Sequence, residues 1–177
     1  MGSFHAAPTL RPFLLADAPR LAVLFRESIE ALTEDFYDEG QRAAWAARAD
    51  DEAAFTAKLA KALTLVALVE KEIAGFAALE KNERVEMLYV HPDFARRGVG
   101  SALLDALEKL AAARRAARLE VEASDAARNF FANRGFTAQS RNTVELDGEW
   151  LGRTRMTKEL VKPEVDPRLA APTGRPQ

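Results

Sequence analysis

Val85-Glu-Met-Leu-Tyr-Val-His-Pro-Asp-Phe-Ala-Arg-Arg-Gly-Val-Gly-Ser-Ala-Leu-Leu104 reads as a strand, a short loop and the start of a helix. Val85, Met87 and Tyr89 alternate with Glu86, Leu88 and Val90, which is the period of a strand. His91-Pro92 ends it, because proline cannot donate to a ladder. From Val99 the spacing changes: Val99, Leu103, Leu107 and Leu110 fall on one helical stripe. Between the two periods lies Arg96-Arg97-Gly98-Val99-Gly100-Ser101.

Such a turn has a physical use. The first N–H groups of a helix lack intrahelical partners and carry the positive end of its dipole. Glycines clear side chains from those donors, so a diphosphate can sit on the turn beside arginine charge. The spacing is neither Gly-x-x-x-x-Gly-Lys-Ser/Thr nor Gly-x-Gly-x-x-Gly, since Leu103 follows Gly98 and Gly100. The plain alternative is a strand–helix connection with an incidental Gly-x-Gly.

The rest of the composition narrows the classes. A chain of 177 residues suffices for one domain that buries about two-thirds of its unfolded surface. A net charge of -2 argues against a nucleic-acid partner, which calls for a basic domain. Arg114, Arg115 and Arg118 form the one basic run and suit a helix C-terminus. There is no cysteine, so disulfides, thiolate zinc sites and a cysteine nucleophile are excluded. His5 and His91 lie in no suggestive cluster, and no metal is expected. No apolar run reaches the ~20 residues of a membrane span, and no charged-then-apolar leader is read, so a cytoplasmic protein without a membrane partner is the expectation.

Read in order, the chain alternates elements. Thr9–Leu15 is a short edge strand broken by Pro12. Asp17 and Pro19 open a helix with Leu21, Leu24, Phe25, Ile29 and Leu32 on one face. Phe36–Arg48 is a second helix carrying Tyr37, Gln41 and Trp45 at steps of four, and Asp50 and Asp51 cap a third. Leu63–Glu70 and Ile73–Glu80 are strands joined by Lys71-Glu72. After the long helix, Leu119, Val121 and Ala123 mark a strand. Ser124 caps a helix with Ala127, Phe130 and Phe131 that closes at Gly135. Asp147-Gly148 turns a final hairpin.

Ala95-Arg96-Arg97-Gly98-Val99-Gly100 resembles the pyrophosphate motif of the GNAT superfamily of N-acetyltransferases, Gln/Arg-x-x-Gly-x-Gly/Ala after a strand ending near Val-x-Pro, with Ala95 departing at the first position. Ser124-Asp-Ala-Ala127-Arg-Asn129-Phe-Phe131-Ala-Asn-Arg-Gly135-Phe136 is similar to a second family motif, Asn-x-x-Ala-x-x-x-Tyr-x-x-x-Gly-Phe, with Ser124 for Asn and Phe131 for Tyr. The element order agrees from about Thr9 to Leu160. The resemblance implies an α/β GNAT-like fold: a mixed central sheet of about seven strands flanked by four or five helices. It also implies one acetyltransferase domain over residues 9–161; on either side the residues themselves read as a flexible tail 1–8 and a disordered proline-rich tail 162–177.

The implied cofactor is acetyl-CoA. Its pantetheine would run along Leu88, Tyr89 and Val90, as an added strand does. Its diphosphate would sit over Ala95, Arg96, Arg97, Gly98, Val99, Gly100 and Ser101, and Ser124, Asn129 and Phe131 would complete the cleft. The implied reaction is acetyl transfer to a primary amine by direct attack. An alkyl amine is neutral in only about one molecule in 2,500 at pH 7, and deprotonating it costs ~4.6 kcal/mol, so a base is useful. Glu86 is the candidate, against the alternative of an exposed strand glutamate. Arg84 shares its parity and can pair with it. With Phe131 in place of tyrosine, no dedicated acid is expected on that helix. Tyr89 and Tyr37 are the only tyrosines. Tyr89 is the candidate acid, although strand parity sets it against Glu86 unless a bulge intervenes, so neither tyrosine alone is expected to be indispensable.

Phe36, Tyr37, Gln41, Trp45 and Trp150 would build the acceptor side, with core packing the alternative for Trp45. A small-molecule amine is the favoured acceptor, and a protein N-terminus, a lysine, a longer acyl donor, or a sensor without turnover stay open. So does a homodimer.

Overall fold

The structure, a computed structural model, describes residues 5–160. The expected tail 162–177 and the first four residues of the tail 1–8 lie outside the described residues. Seven strands form one sheet: β1 Thr9–Pro12, β2 Leu63–Val69, β3 Glu72–Glu80, β4 Arg84–Val90, β5 Arg118–Ser124, β6 Thr137–Leu146 and β7 Glu149–Glu159. Their spatial order is β1-β2-β3-β4-β5-β7-β6, antiparallel throughout except for β4 and β5. The helices are α1 Ala18–Leu32, α2 Glu39–Ala46, α3 Glu52–Lys61, α4 Val99–Ala113 and α5 Arg128–Asn133. This is the expected mixed α/β fold. The parallel step needs a crossover, and α4 supplies it.

Local chemistry sets the boundaries. The β2–β3 turn is Glu70-Lys71, one residue earlier than read, with φ of 50° and 72°. Asp147-Gly148 has φ of 48° and 84°, so both hairpins use the left-handed turn that matches strand twist. Asp38 accepts from the Gln41 amide at 2.8 Å, so α2 starts at Glu39 rather than Phe36. Asp51 caps α3 through the Ala54 amide at 3.0 Å. Asp17 does not cap α1 with its side chain; it binds Arg11 at 2.7 and 2.9 Å and accepts from the Leu14 amide. The Arg11 hydrogen bonds hold its carboxyl below the usual range. Ser124 ends β5, and its Oγ accepts from the Ala127 amide one turn before α5 begins.

The core has two layers. Leu103, Leu104 and Leu107 of α4 pack on Leu79, Val85 and Val121. On the opposite face Leu24, Phe25 and Ile29 of α1, with Phe55 of α3, cover Phe76 and Met87. Gly75 on β3 lets α4 approach: a Cβ there would lie 2.9 Å from Tyr89 O and 2.9 Å from Val99 Cγ1. The Gly75→Ala variant should lose about 1–3 kcal/mol, since neither the strand carbonyl nor the helix can yield freely. Urea unfolding measures this, and an unchanged midpoint would show that α4 shifts without cost.

One irregularity positions the site. Ala78 pairs with Met87 but Leu79 pairs with Val85, so Glu86 is an extra residue in β4. Strict alternation therefore fails, which corrects the expected opposition of Glu86 and Tyr89. Val85, Leu88 and Val90 pack with the α4 layer, whereas Met87 and Tyr89 pack with the α1–α3 layer that Glu86 also meets. Just beyond, β4 and β5 part: they pair only at Arg84↔Glu120 and Val85↔Val121. The His91 amide donates to Ala74 O on β3, so by alternation the N–H and C=O groups of Leu88 and Val90 face the opening.

Candidate active site

Two cavities meet where β4 and β5 part. The first, about 280 Å³, is lined along β4 from Val85 to Val90, along β5 by Val121 to Ser124, and closed by Gly100, Ala127, Phe130 and Phe131. The second, about 400 Å³, lies on the α1–α3 side and is also walled by Val144, Leu146 and Leu151 of the β6–β7 hairpin. Trp45, Val85, Glu86, Met87, Tyr89, Glu122 and Ser124 line both. Glu86 and Tyr89 thus stand at the junction.

At the outer end of the smaller cavity the chain turns into α4. Arg96 has φ 60° and Gly98 φ 81°, and Gly98 is the N-cap. No atom lies within 4 Å of where a Gly98 Cβ would be, so its backbone conformation, not space, calls for glycine. The amides of Val99, Gly100 and Ser101 open the helix without intrahelical acceptors. A Gly100 Cβ would only touch Phe130 and Val90 at 3.5–3.7 Å. Arg97 lies over the Phe94 ring at 5.2 Å, and its Nε is buried without a hydrogen-bond partner. Ala95 donates its amide to Pro92 O. His91 ties this loop to α1 through Glu27 at 2.6 Å.

Glu86 is held by Lys58 of α3 at 2.6 Å and by Arg84 at 3.2 Å. Each carboxylate oxygen meets one cation, which leaves lone pairs free on both. Tyr89 stacks on Phe76 at 5.6 Å and meets Phe25 and Trp45 edge-on at 4.6 and 6.2 Å. Burial pushes its phenol well above the ordinary value, so it stays protonated across the neutral range. Tyr37 is buried; its hydroxyl donates to Gly152 O at 2.6 Å and accepts from the Asp125 amide at 2.8 Å. Burial raises its pKa as well.

The remaining sequence candidates divide. Tyr37 and Trp45 line the larger cavity, and Leu88, Val90, Gly100 and Phe131 the smaller. Gln41 closes the α2 capping box and donates to Trp150 O at 2.8 Å, so its side chain joins α2 to β7. Phe36 and Trp150 are exposed, as is Asn129, and none of the three lines either cavity. Sequence reasoning passed over Lys58, Arg48, Glu122 and Arg153. Glu122 accepts from Asn142 at 3.0 Å and lies 3.6 Å from Arg153. Its parity, opposite to Leu119, Val121 and Ala123 on the strand beside β4, was the available signal.

The profile of the acetyltransferase (GNAT) domain matches residues 27–160. The uncharacterized N-acetyltransferase YafP of Escherichia coli is 33% identical over 141 residues, 80% of this chain and 89% of that protein. A solved GCN5-related N-acetyltransferase of Rhodopseudomonas palustris shares 52% identity at a TM-score of 0.87, covering 90% of this chain and all of that one. The PaiA N-acetyltransferase of Thermoplasma acidophilum, solved with coenzyme A, shares the fold at 18% identity and a TM-score of 0.71, over 87% of this chain and 99% of that one. On the family match and the YafP likeness, this chain belongs to the GNAT family of acetyltransferases, enzymes whose donor is acetyl-CoA.

Proposed function

We propose that the protein acetylates the primary amine of a small molecule, with acetyl-CoA in the smaller cavity and the amine in the larger. The observation that carries this reading is the junction of the two cavities at Glu86 and Tyr89. Acetyl-CoA, when bound, supplies a thioester carbonyl for the amine to attack. The amides of Val99, Gly100 and Ser101, with Arg96 and Arg97, hold its diphosphate. Main-chain groups of Leu88 and Val90 hold the pantetheine, as an added strand would. Phe131 and Ser124 close the inner end of the cleft. Glu86 takes the amine's proton, and Tyr89 holds a proton for the leaving sulfur. A small acceptor is favoured because three helices and the β6–β7 hairpin wall the larger cavity.

The reaction itself is tested with purified protein, acetyl-CoA and a panel of amines, following free thiol; release with none of them would overturn it. The turn is tested by calorimetry. Gly98→Val should bind acetyl-CoA at least about tenfold more weakly, because a β-branched residue at φ 81° strains the turn and misaims the helix amides. Gly98→Asn, which tolerates that conformation, should retain most of the affinity. Unchanged affinity in a folded Gly98→Val protein would remove this turn from the diphosphate site.

A further inference from the structure

We propose that the acceptor amine also carries a carboxylate, received by Arg48 at the mouth of the larger cavity, and an apolar body that lies against Phe25, Trp45, Phe55 and Leu151. The inference rests on the acetyl-transfer reading above and narrows its substrate to an amino acid or a related carboxylated amine.

The charges lining that cavity do not balance. Arg48, Lys58, Arg84 and Arg153 face two acids, Glu86 and Glu122. Glu86 serves Lys58 and Arg84 together, and Glu122 serves Arg153. Among the described residues Arg48 has neither an ion pair nor a hydrogen bond. The cavity therefore holds a cationic surplus beside an apolar wall. A simple alkyl ammonium entering it meets like charge. An amine with its own carboxylate brings the missing counter-charge, and a planar guanidinium suits that group bidentately. The same surplus favours the neutral amine over the ammonium, which assists attack. Arg48 and Tyr89 line the same cavity of about 400 Å³, a volume that fits a small molecule.

The experiment compares apolar α- and ω-amino acids, each beside its own amide, at saturating acetyl-CoA and low salt. Rates are referred to the neutral-amine fraction. At least one acid should exceed its amide about tenfold or more in kcat/KM, the size of one charge-assisted contact. Arg48→Gln should bring that ratio close to one, chiefly through KM, and Arg48→Lys should restore part of it. Arg48 is exposed, so these variants do not disturb the core. Amides that match or exceed their acids throughout, or a ratio unchanged in Arg48→Gln, would overturn the assignment. A phosphonate analogue preferred over the carboxylate more than tenfold would also overturn it. Calorimetry with the corresponding des-amino acids reads the same contact without turnover. If amines are acetylated without charge preference, only this inference falls. If no amine is acetylated, yet the acids bind and Arg48→Gln abolishes binding, the transfer reading falls and the anion site stands.

Discussion

Glu86→Gln should lower kcat at pH 7 by roughly 10²–10⁴ and leave acetyl-CoA affinity unchanged. The reason lies in the acceptor: an alkyl ammonium near pKa 10.4 must lose a proton before it can attack. Glu86 stands at the cavity junction because it is the extra residue of β4. Lys58 and Arg84 fix its two oxygens in place. An amide keeps the shape but cannot take the proton. The loss should shrink as pH rises toward the amine's own pKa, where the solvent has already done the work. A rate-against-pH series on both proteins measures this. Normal turnover of the variant at pH 7 would take Glu86 out of the mechanism, and a loss independent of pH would leave it a packing role.

Tyr89→Phe should cost about a hundredfold in kcat, with cofactor binding intact. Alternation read from sequence set Tyr89 against Glu86 and made neither tyrosine indispensable; the bulge gives them a common junction. Phe131, in the place of the tyrosine of the motif it resembles, is 3% exposed and packs on Phe130 and Phe136 at 5.2 Å, and a phenyl ring has no proton to give. Because burial raises the Tyr89 phenol above 10, it should contribute no alkaline limb to the pH–rate profile near neutrality. The sign for stability follows: the buried neutral phenol supports the fold fully below the unfolded value near 10, and that support fades as pH rises through the higher folded value. Tyr37→Phe should leave kcat within about tenfold, since its hydroxyl is spent on Gly152 O and the Asp125 amide. A hundredfold loss in Tyr37→Phe with none in Tyr89→Phe would reverse the assignment.

The frame of the fold was legible because its signals are local. Pro92, Gly98 and the change of period at Val99 mark strand, turn and helix within twenty residues, and Asp147-Gly148 marks its own hairpin. The bulge was not legible, since Val85-Glu86-Met87-Leu88-Tyr89 reads as perfect alternation and only pairing with β3 reveals the extra residue. Gln41 carries a polar head at the right helical step, yet that head is used on the Asp38 amide and Trp150 O. Lys58 meets Glu86 across 28 positions of chain, and Glu122 meets Asn142 across 20, distances at which sequence spacing carries no information.

The parting of β4 from β5 divides the molecule's labour along the chain. The turn before α4 and the free edge of β4 belong to one continuous stretch, residues 84–101. The wall of the larger cavity is assembled from α1, α2, α3 and the distant hairpin of β6 and β7. Substitutions in Val144, Leu146, Leu151 or Phe55 can reshape that wall while residues 84–101, the stretch we propose for the donor, stay as they are. Lineages descended from such a protein can therefore exchange one acceptor for another by drift in the hairpin and the early helices, with the donor inherited unaltered.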